Sequence, residues 1–100
     1  MEDNDTKALR FASAAVTDID IQFRLADVAG KLQLAGPRDR AWTAYSLARQ
    51  RLLQAGVIVT DEQLDEIDQL GVDIANAAET METVRAALKL GEILAKIALV

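Results

Sequence analysis

The sequence predicts an all-α protein, a three-helix bundle with long first and third helices that dimerisation completes. Three observations indicate this fold class: alanine and leucine are abundant, proline occurs once, and apolar residues recur at helical spacing. Only five glycines and one proline interrupt the 100 residues, so few positions favour the end of a helix. We therefore expect one helical domain over residues 1–100, with a disordered tail at residues 1–5.

The first helix is predicted over residues 6–34. Asp5 or Thr6 can cap it, because a side-chain oxygen there accepts a hydrogen bond from a free N–H of the first turn. Apolar residues of its second half, including Leu25 and Leu32, lie opposite those of its first half. We expect one continuous or gently bent helix, with a new helix start near residues 17–20 as the alternative.

The second helix is predicted over residues 38–55, because Gly36 and Pro37 favour a helix end followed by a helix start. Trp42 and Tyr45 share its inner face with two aliphatic residues further along. We interpret both aromatic residues as core. The alternative is that Trp42, Tyr45 and Arg49 are anchors of a protein interface.

The third helix is predicted over residues 61–98. Thr60 and Gln63 form the spacing of a capping box, the clearest helix start in the chain. An apolar stripe passes through Gly71 without a change of phase, so we predict no break there. A break is possible near residue 90, beside Gly91.

The apolar face of this third helix changes sides near its end. Residues 67–88 carry one stripe, whereas the apolar residues from 90 onward lie on roughly the opposite side. A straight helix cannot bury both faces in one small core. We therefore predict a homodimer interface that comprises Leu90, Ile93, Leu94, Ile97, Leu25 and Leu32.

The predicted helix lengths also favour a homodimer. The first helix would be about 43 Å long and the third nearly 60 Å, at roughly 1.5 Å per residue. A compact domain of this size is only about 34 Å across. We favour an elongated chain covered by a second copy over a monomer that bends near Gly91.

The composition excludes several function classes. The chain has no cysteine and no histidine, which removes disulfides, thiolate nucleophiles, the commonest general base and the commonest transition-metal ligand. We expect no enzyme, no cofactor and no metal. A net charge of −5 makes a nucleic-acid partner unfavourable, and the apolar run near the end is too short and too charged for a membrane span. A cytoplasmic protein is expected.

One helical enzyme family has a similar outline. Arg10, Asp18, Asp20, Arg24 and Lys31 resemble the start of the pattern of AroQ-type chorismate mutases, which are dimers of three-helix chains. The intervals between the cations are shorter than in that family, and the second helix contains no glutamate. The resemblance therefore implies a shared architecture and not the activity.

Charge is segregated along the chain. Residues 60–82 contain eight acidic residues and no basic one, whereas residues 36–56 contain four arginines and one aspartate. The acidic residues are interpreted as a solvated helix face, with two alternatives: a surface that binds a basic partner, or a face that pairs with the arginines of the second helix. The residues of this candidate surface are Asp61, Glu62, Asp65, Glu66 and Asp73.

Together these observations predict a non-enzymatic protein–protein interaction module that forms a homodimer. The first alternative is an acidic inhibitor, of the phage anti-defence or immunity type, that binds the basic groove of a nucleic-acid-binding protein. The second is a dimeric DNA-binding regulator that uses the arginines of the second helix, which are Arg38, Arg40, Arg49 and Arg51.

Overall fold

The structure, a computed structural model, describes residues 2–54, 56 and 58–100. It consists of four helices: α1 (Asn4–Leu25), α2 (Val28–Gln54), α3 (Asp61–Ala75) and α4 (Thr80–Ala98). The all-α class is confirmed, but the prediction of three helices is wrong. In the part of the chain that the structure describes, no helix is both long enough and apolar enough to cross a bilayer.

The predicted first helix is divided at Ala26 and Asp27. Ala26 has an extended backbone, with φ −72° and ψ 154°, which ends α1. Asp27 then begins α2, because its carboxylate accepts a hydrogen bond of 2.8 Å from the backbone N–H of Gly30. The predicted continuous helix over residues 6–34 is therefore wrong.

α2 continues through Gly36 and Pro37, so the predicted helix start at residue 38 is also wrong. Pro37 removes one backbone donor from the helix interior. The buried face nevertheless continues across it, since Leu34 before the proline and Ala41 after it lie on the same side of α2. Packing of this shared face outweighs the local preference for a break.

The predicted third helix is divided between Ala75 and Thr80, and not near residue 90. α4 passes through Gly91 without interruption. The capping box is confirmed: the Gln63 N–H donates to the Thr60 hydroxyl at 3.1 Å, and the Gln63 amide oxygen accepts from the Thr60 N–H at 3.0 Å. The continuity of the helix through Gly71 is confirmed as well.

The helices form two hairpins, α1–α2 and α3–α4, packed side by side in the same orientation. α1 and α3 run in the same direction, since Asn4 donates to Asp61 at one end and Gln22 donates to the Ile74 carbonyl at the other. The prediction that the first and third helices are antiparallel is therefore wrong.

α2 and α4 also run in the same direction and form the most extensive helix pair. Gly30 lies beside Thr80 at one end of this pair, and Gly91 lies against the backbone of Ala41 in its middle. Small residues at these crossings let the two backbones approach closely. The consequence is that α2 and α3 lie diagonally across the bundle, and the chain between them must cross one end of it.

Asp5 holds this crossing segment. Its carboxylate accepts hydrogen bonds from the backbone N–H groups of Ile58, at 3.0 Å, and Val59, at 2.9 Å. Asp5 is only 4% exposed and lies within α1, so the predicted disordered tail at residues 1–5 is wrong for this residue. The N-cap of α1 is Asp3, and neither Asp5 nor Thr6 has that role.

The core contains four of the residues predicted at the dimer interface, which are Leu90, Ile93, Leu94 and Ile97. Because α4 begins a new helix at Thr80, its apolar residues face the other helices of the same chain. Their side chains are not available to a second copy, and this part of the predicted interface is corrected. Leu25 and Leu32, its other two members, are exposed.

The breaks in the predicted first and third helices shorten both of them, so helix length no longer favours a dimer. The radius of gyration is 13.1 Å, and the principal extents are 42 × 21 × 17 Å. A compact domain of 100 residues has a radius of gyration of about 13 Å. The single chain therefore covers its own helices, and any case for self-association rests on its surface.

Candidate interaction surfaces

Exposed apolar side chains concentrate where α1 meets α2. Leu25, Val28 and Leu32 are 75%, 77% and 76% exposed, and Ile21 is 49% exposed. We call these four residues the corner patch. Each helix contributes a pair at i, i+4 spacing, which lies on one face. Leu25 and Val28 are three residues apart, so their Cα atoms are at most about 11 Å from one another.

Charges of both signs surround the corner patch. Arg24 precedes Leu25, Asp27 directly precedes α2, and Lys31 lies in the first turn of α2. Glu79 lines the same small cleft as Leu25, beside the start of α4. All four charged residues are exposed. With two acidic and two basic groups, the surroundings of the patch have no net charge.

The acidic surface predicted from the sequence lies along α3. Asp61, Glu62, Asp65, Glu66 and Asp73 are all exposed, and none of them forms a salt bridge with another described residue. The acids of the first turn lie near the positive end of the helix dipole, which favours negative charge there. Asp73 lies apart from the rest, beside the basic side chains of α4.

The carboxylates at the start of α3 and the corner patch lie at opposite ends of the molecule. Asn4 donates a hydrogen bond of 2.8 Å to Asp61, which places the start of α3 beside the start of α1. Leu25 is at the other end of α1. A helix of this length spans about 33 Å at 1.5 Å per residue. The patch is therefore several Debye lengths from the first acids of α3, since that length is about 8 Å at physiological salt.

The aromatic residues of α2 belong to a contact within the chain. The Asp20 carboxylate accepts hydrogen bonds from Arg38 Nε, at 2.6 Å, and from Trp42 Nε1, at 3.0 Å. Trp42 packs edge-on against Tyr45, and both rings lie against the core. Their interpretation as core-packing residues fits this arrangement. Arg49, the third candidate anchor, is exposed.

Two of the four arginines considered for DNA binding are engaged within the chain. Arg38 pairs with Asp20 and lies 4.8 Å from the centre of the Phe23 ring. Arg51 donates to the carbonyl oxygen of Val100. Arg40 and Arg49 remain as exposed cations on α2, which is few for a phosphate-binding surface.

A shallow groove runs between α2 and α4, with a volume of about 630 Å³. Its lining is mostly apolar and includes the small residues Ala44, Gly91 and Ala95. Leu47, which is half exposed, lines it from the α2 side, and Glu92 from the α4 side. Leu47 is the one exposed large apolar side chain among the residues that line this groove.

Within residues 2–54, 56 and 58–100, no group of three or more carboxylates is placed to hold a metal ion. Buried side-chain polar atoms in the same residues all have hydrogen-bond partners. The pKa of Asp3 is lowered from its ordinary value because the backbone N–H of Thr6 donates to its carboxylate. That shift reflects helix capping.

Comparisons of the chain with known protein families, with curated proteins and with solved structures give no match. The candidate surfaces therefore rest on the residues alone. Sequence reasoning identified Leu25 and Leu32 and the carboxylates of α3. It missed Asp27, although aspartate is a favoured N-cap residue and could have marked a helix start there.

Proposed function

We propose that this chain is a non-enzymatic protein–protein interaction module that acts as a homodimer. The observation that supports it best is the corner patch, where four large apolar residues remain outside the core within twelve positions of the sequence. Exposed apolar clusters of this kind are typical of interaction sites. The surface, and not a pocket with converging polar groups, is then the functional part of the molecule.

Solution mass tests this proposal directly. Sedimentation equilibrium of the unmodified protein, over a wide range of concentrations, should give a mass approaching twice 10.9 kDa. A mass that stays at 10.9 kDa up to millimolar concentration would contradict self-association. Substitutions at Leu94 or Ile97 are unsuitable for this test, because both side chains are buried and their loss would unfold the chain.

A second candidate function is binding of a basic protein, as an acidic inhibitor would do. It is supported by the exposure of the α3 carboxylates and by their lack of salt bridges among the described residues. Like charges on neighbouring turns repel one another, and a cationic partner would relieve that repulsion. Such a partner would be recognised by electrostatic complementarity.

This second function requires binding that depends steeply on salt. The immobilised protein should retain a basic partner at low ionic strength and release it at high ionic strength. A variant with Asp61, Glu62, Asp65 and Glu66 changed to Asn or Gln should lose the partner. The matched control is neutralisation of four exposed acids outside α3, which are Asp39, Glu79, Glu82 and Glu92. Equal binding by both variants would rule out the acidic surface.

A further inference from the structure

We infer that the corner patch is the contact of the homodimer, and that the two copies meet there through a two-fold axis. This inference rests on the proposed function and specifies which surface performs it. In a two-fold contact the same surface appears on both sides, so the surface must be complementary to itself. Three properties of each candidate surface bear on that requirement: its charge, its position and the number of its exposed apolar side chains.

Charge excludes α3 as the self-contact. Two copies that met through its outward face would bring charges of one sign together, since α3 contains no basic residue. The corner patch meets the requirement, because Arg24 and Lys31 balance Asp27 and Glu79 around it. A basic group of one copy can then lie opposite an acidic group of the other.

The position of the corner patch in the molecule also favours it as the contact between the two copies. Each copy carries a net charge of −5, and much of it is on α3. The start of α3 lies beside the start of α1, whereas the corner patch lies at the far end of that helix. Contact through the patch therefore keeps the most acidic ends of the two copies apart, and salt screens what repulsion remains.

The groove between α2 and α4 is a competing surface. It has one projecting apolar side chain, Leu47, whereas the corner patch has four. Asp39, Arg40 and Glu92 line the groove and leave it with a net negative charge. Both differences favour the patch as the surface where a second copy binds.

Three variants separate these surfaces. The test variant is Leu25→Glu with Leu32→Glu, in which both side chains are exposed and the core is left intact. Leu53→Glu is the control, because Leu53 is an exposed leucine of α2 at the other end of the molecule. Leu47→Glu tests the groove. Circular dichroism should show the same helix content for all of them.

Sedimentation equilibrium then gives distinct outcomes. The inference expects the Leu25/Leu32 variant to be monomeric at concentrations where the unmodified protein, the Leu53 variant and the Leu47 variant are dimers. A Leu25/Leu32 variant that remains dimeric overturns the inference but leaves the proposed homodimer standing. If only the Leu47 variant loses the dimer, the contact lies in the groove. A monomeric unmodified protein overturns both.

Discussion

The carboxylate of Asp5 accepts a hydrogen bond of 2.9 Å from the backbone N–H of Val59, and both residues are buried. This contact joins α1 to the segment between α2 and α3, which crosses one end of the bundle diagonally. The same carboxylate also accepts from the N–H of Ile58. One side chain therefore satisfies two backbone donors that no helix or strand could satisfy.

Asp5→Ala should lower the free energy of unfolding by about 2–3 kcal/mol, because it leaves two backbone N–H groups without their charged acceptor. Urea denaturation followed by circular dichroism measures this change. Asp39→Ala is the control, since Asp39 is an exposed acid whose loss should change stability by less than about 0.5 kcal/mol. Equal effects of the two substitutions would show that Asp5 does not hold the crossing segment.

Pro37→Ala should raise the free energy of unfolding by about 2 kcal/mol. A proline inside a helix costs about 3 kcal/mol, partly offset by the restriction that it places on the unfolded chain. Pro37 lies in the interior of α2, which continues for seventeen residues beyond it. Thermal denaturation of the two proteins measures the difference. A lower stability of the alanine variant would mean that the proline ring makes packing contacts that outweigh its cost.

Local signals in the sequence predicted the helix start at Thr60, because the capping box involves only residues 60–63 and needs no tertiary contact. The end of α1 has a weaker local signal, which is Asp27 as a favoured N-cap residue of the next helix. Ala26 is a strong helix former, and its extended conformation depends on how α2 packs against the rest of the bundle. At Gly36 and Pro37 the error is the opposite one: the sequence predicts a break, whereas α2 is continuous there because its buried face packs on both sides of the proline.

Both changes of apolar face accompany a helix break, but they have different outcomes, which the sequence does not distinguish. In the predicted third helix, the change follows from a helix break, and Leu90 and Leu94 are core residues of α4. In the predicted first helix, the break at Ala26 and Asp27 leaves Leu25 and Leu32 exposed. The periodic pattern therefore identified Leu25 and Leu32 correctly as surface residues. To place Leu90 and Leu94 in the core, the position of the break before α4 had to be known.

Glycine substitutions at two helical sites should have opposite effects. Gly71→Ala should raise the free energy of unfolding by about 1 kcal/mol, because alanine is the better helix former. The added methyl group would lie 3.8 Å from Ala15 Cβ, an ordinary contact. Gly30→Ala should lower stability, because its methyl group would lie 3.0 Å from Ala26 Cβ and 3.1 Å from Thr80 Oγ1. Urea denaturation of both variants compares them; a stabilised Gly30 variant would indicate that the neighbouring atoms move apart without cost.

Acid should weaken the start of α1 through Asp3. Its pKa is lower in the folded protein than its ordinary value of 3.8, because Thr6 donates to the carboxylate. The stabilisation is therefore complete above that ordinary value and is lost as the pH falls through the folded pKa. Asp3→Asn keeps an N-cap acceptor but cannot titrate there. Stability measured from pH 6 to pH 2 should fall slightly less for this variant, and identical profiles would show that the carboxylate contributes nothing.

Salt should distinguish self-association from capture of a basic partner. If two copies meet at the corner patch, apolar burial supplies the attraction, and the net charge of −5 on each copy opposes it. Raising the ionic strength screens that repulsion, so dimerisation should strengthen or stay constant between low and high sodium chloride. Binding of a cationic protein to the α3 carboxylates should weaken over the same range. Dimerisation constants from sedimentation at several salt concentrations measure this dependence, and a dimer that dissociates as salt rises would place opposite charges, and not apolar side chains, at the centre of the contact.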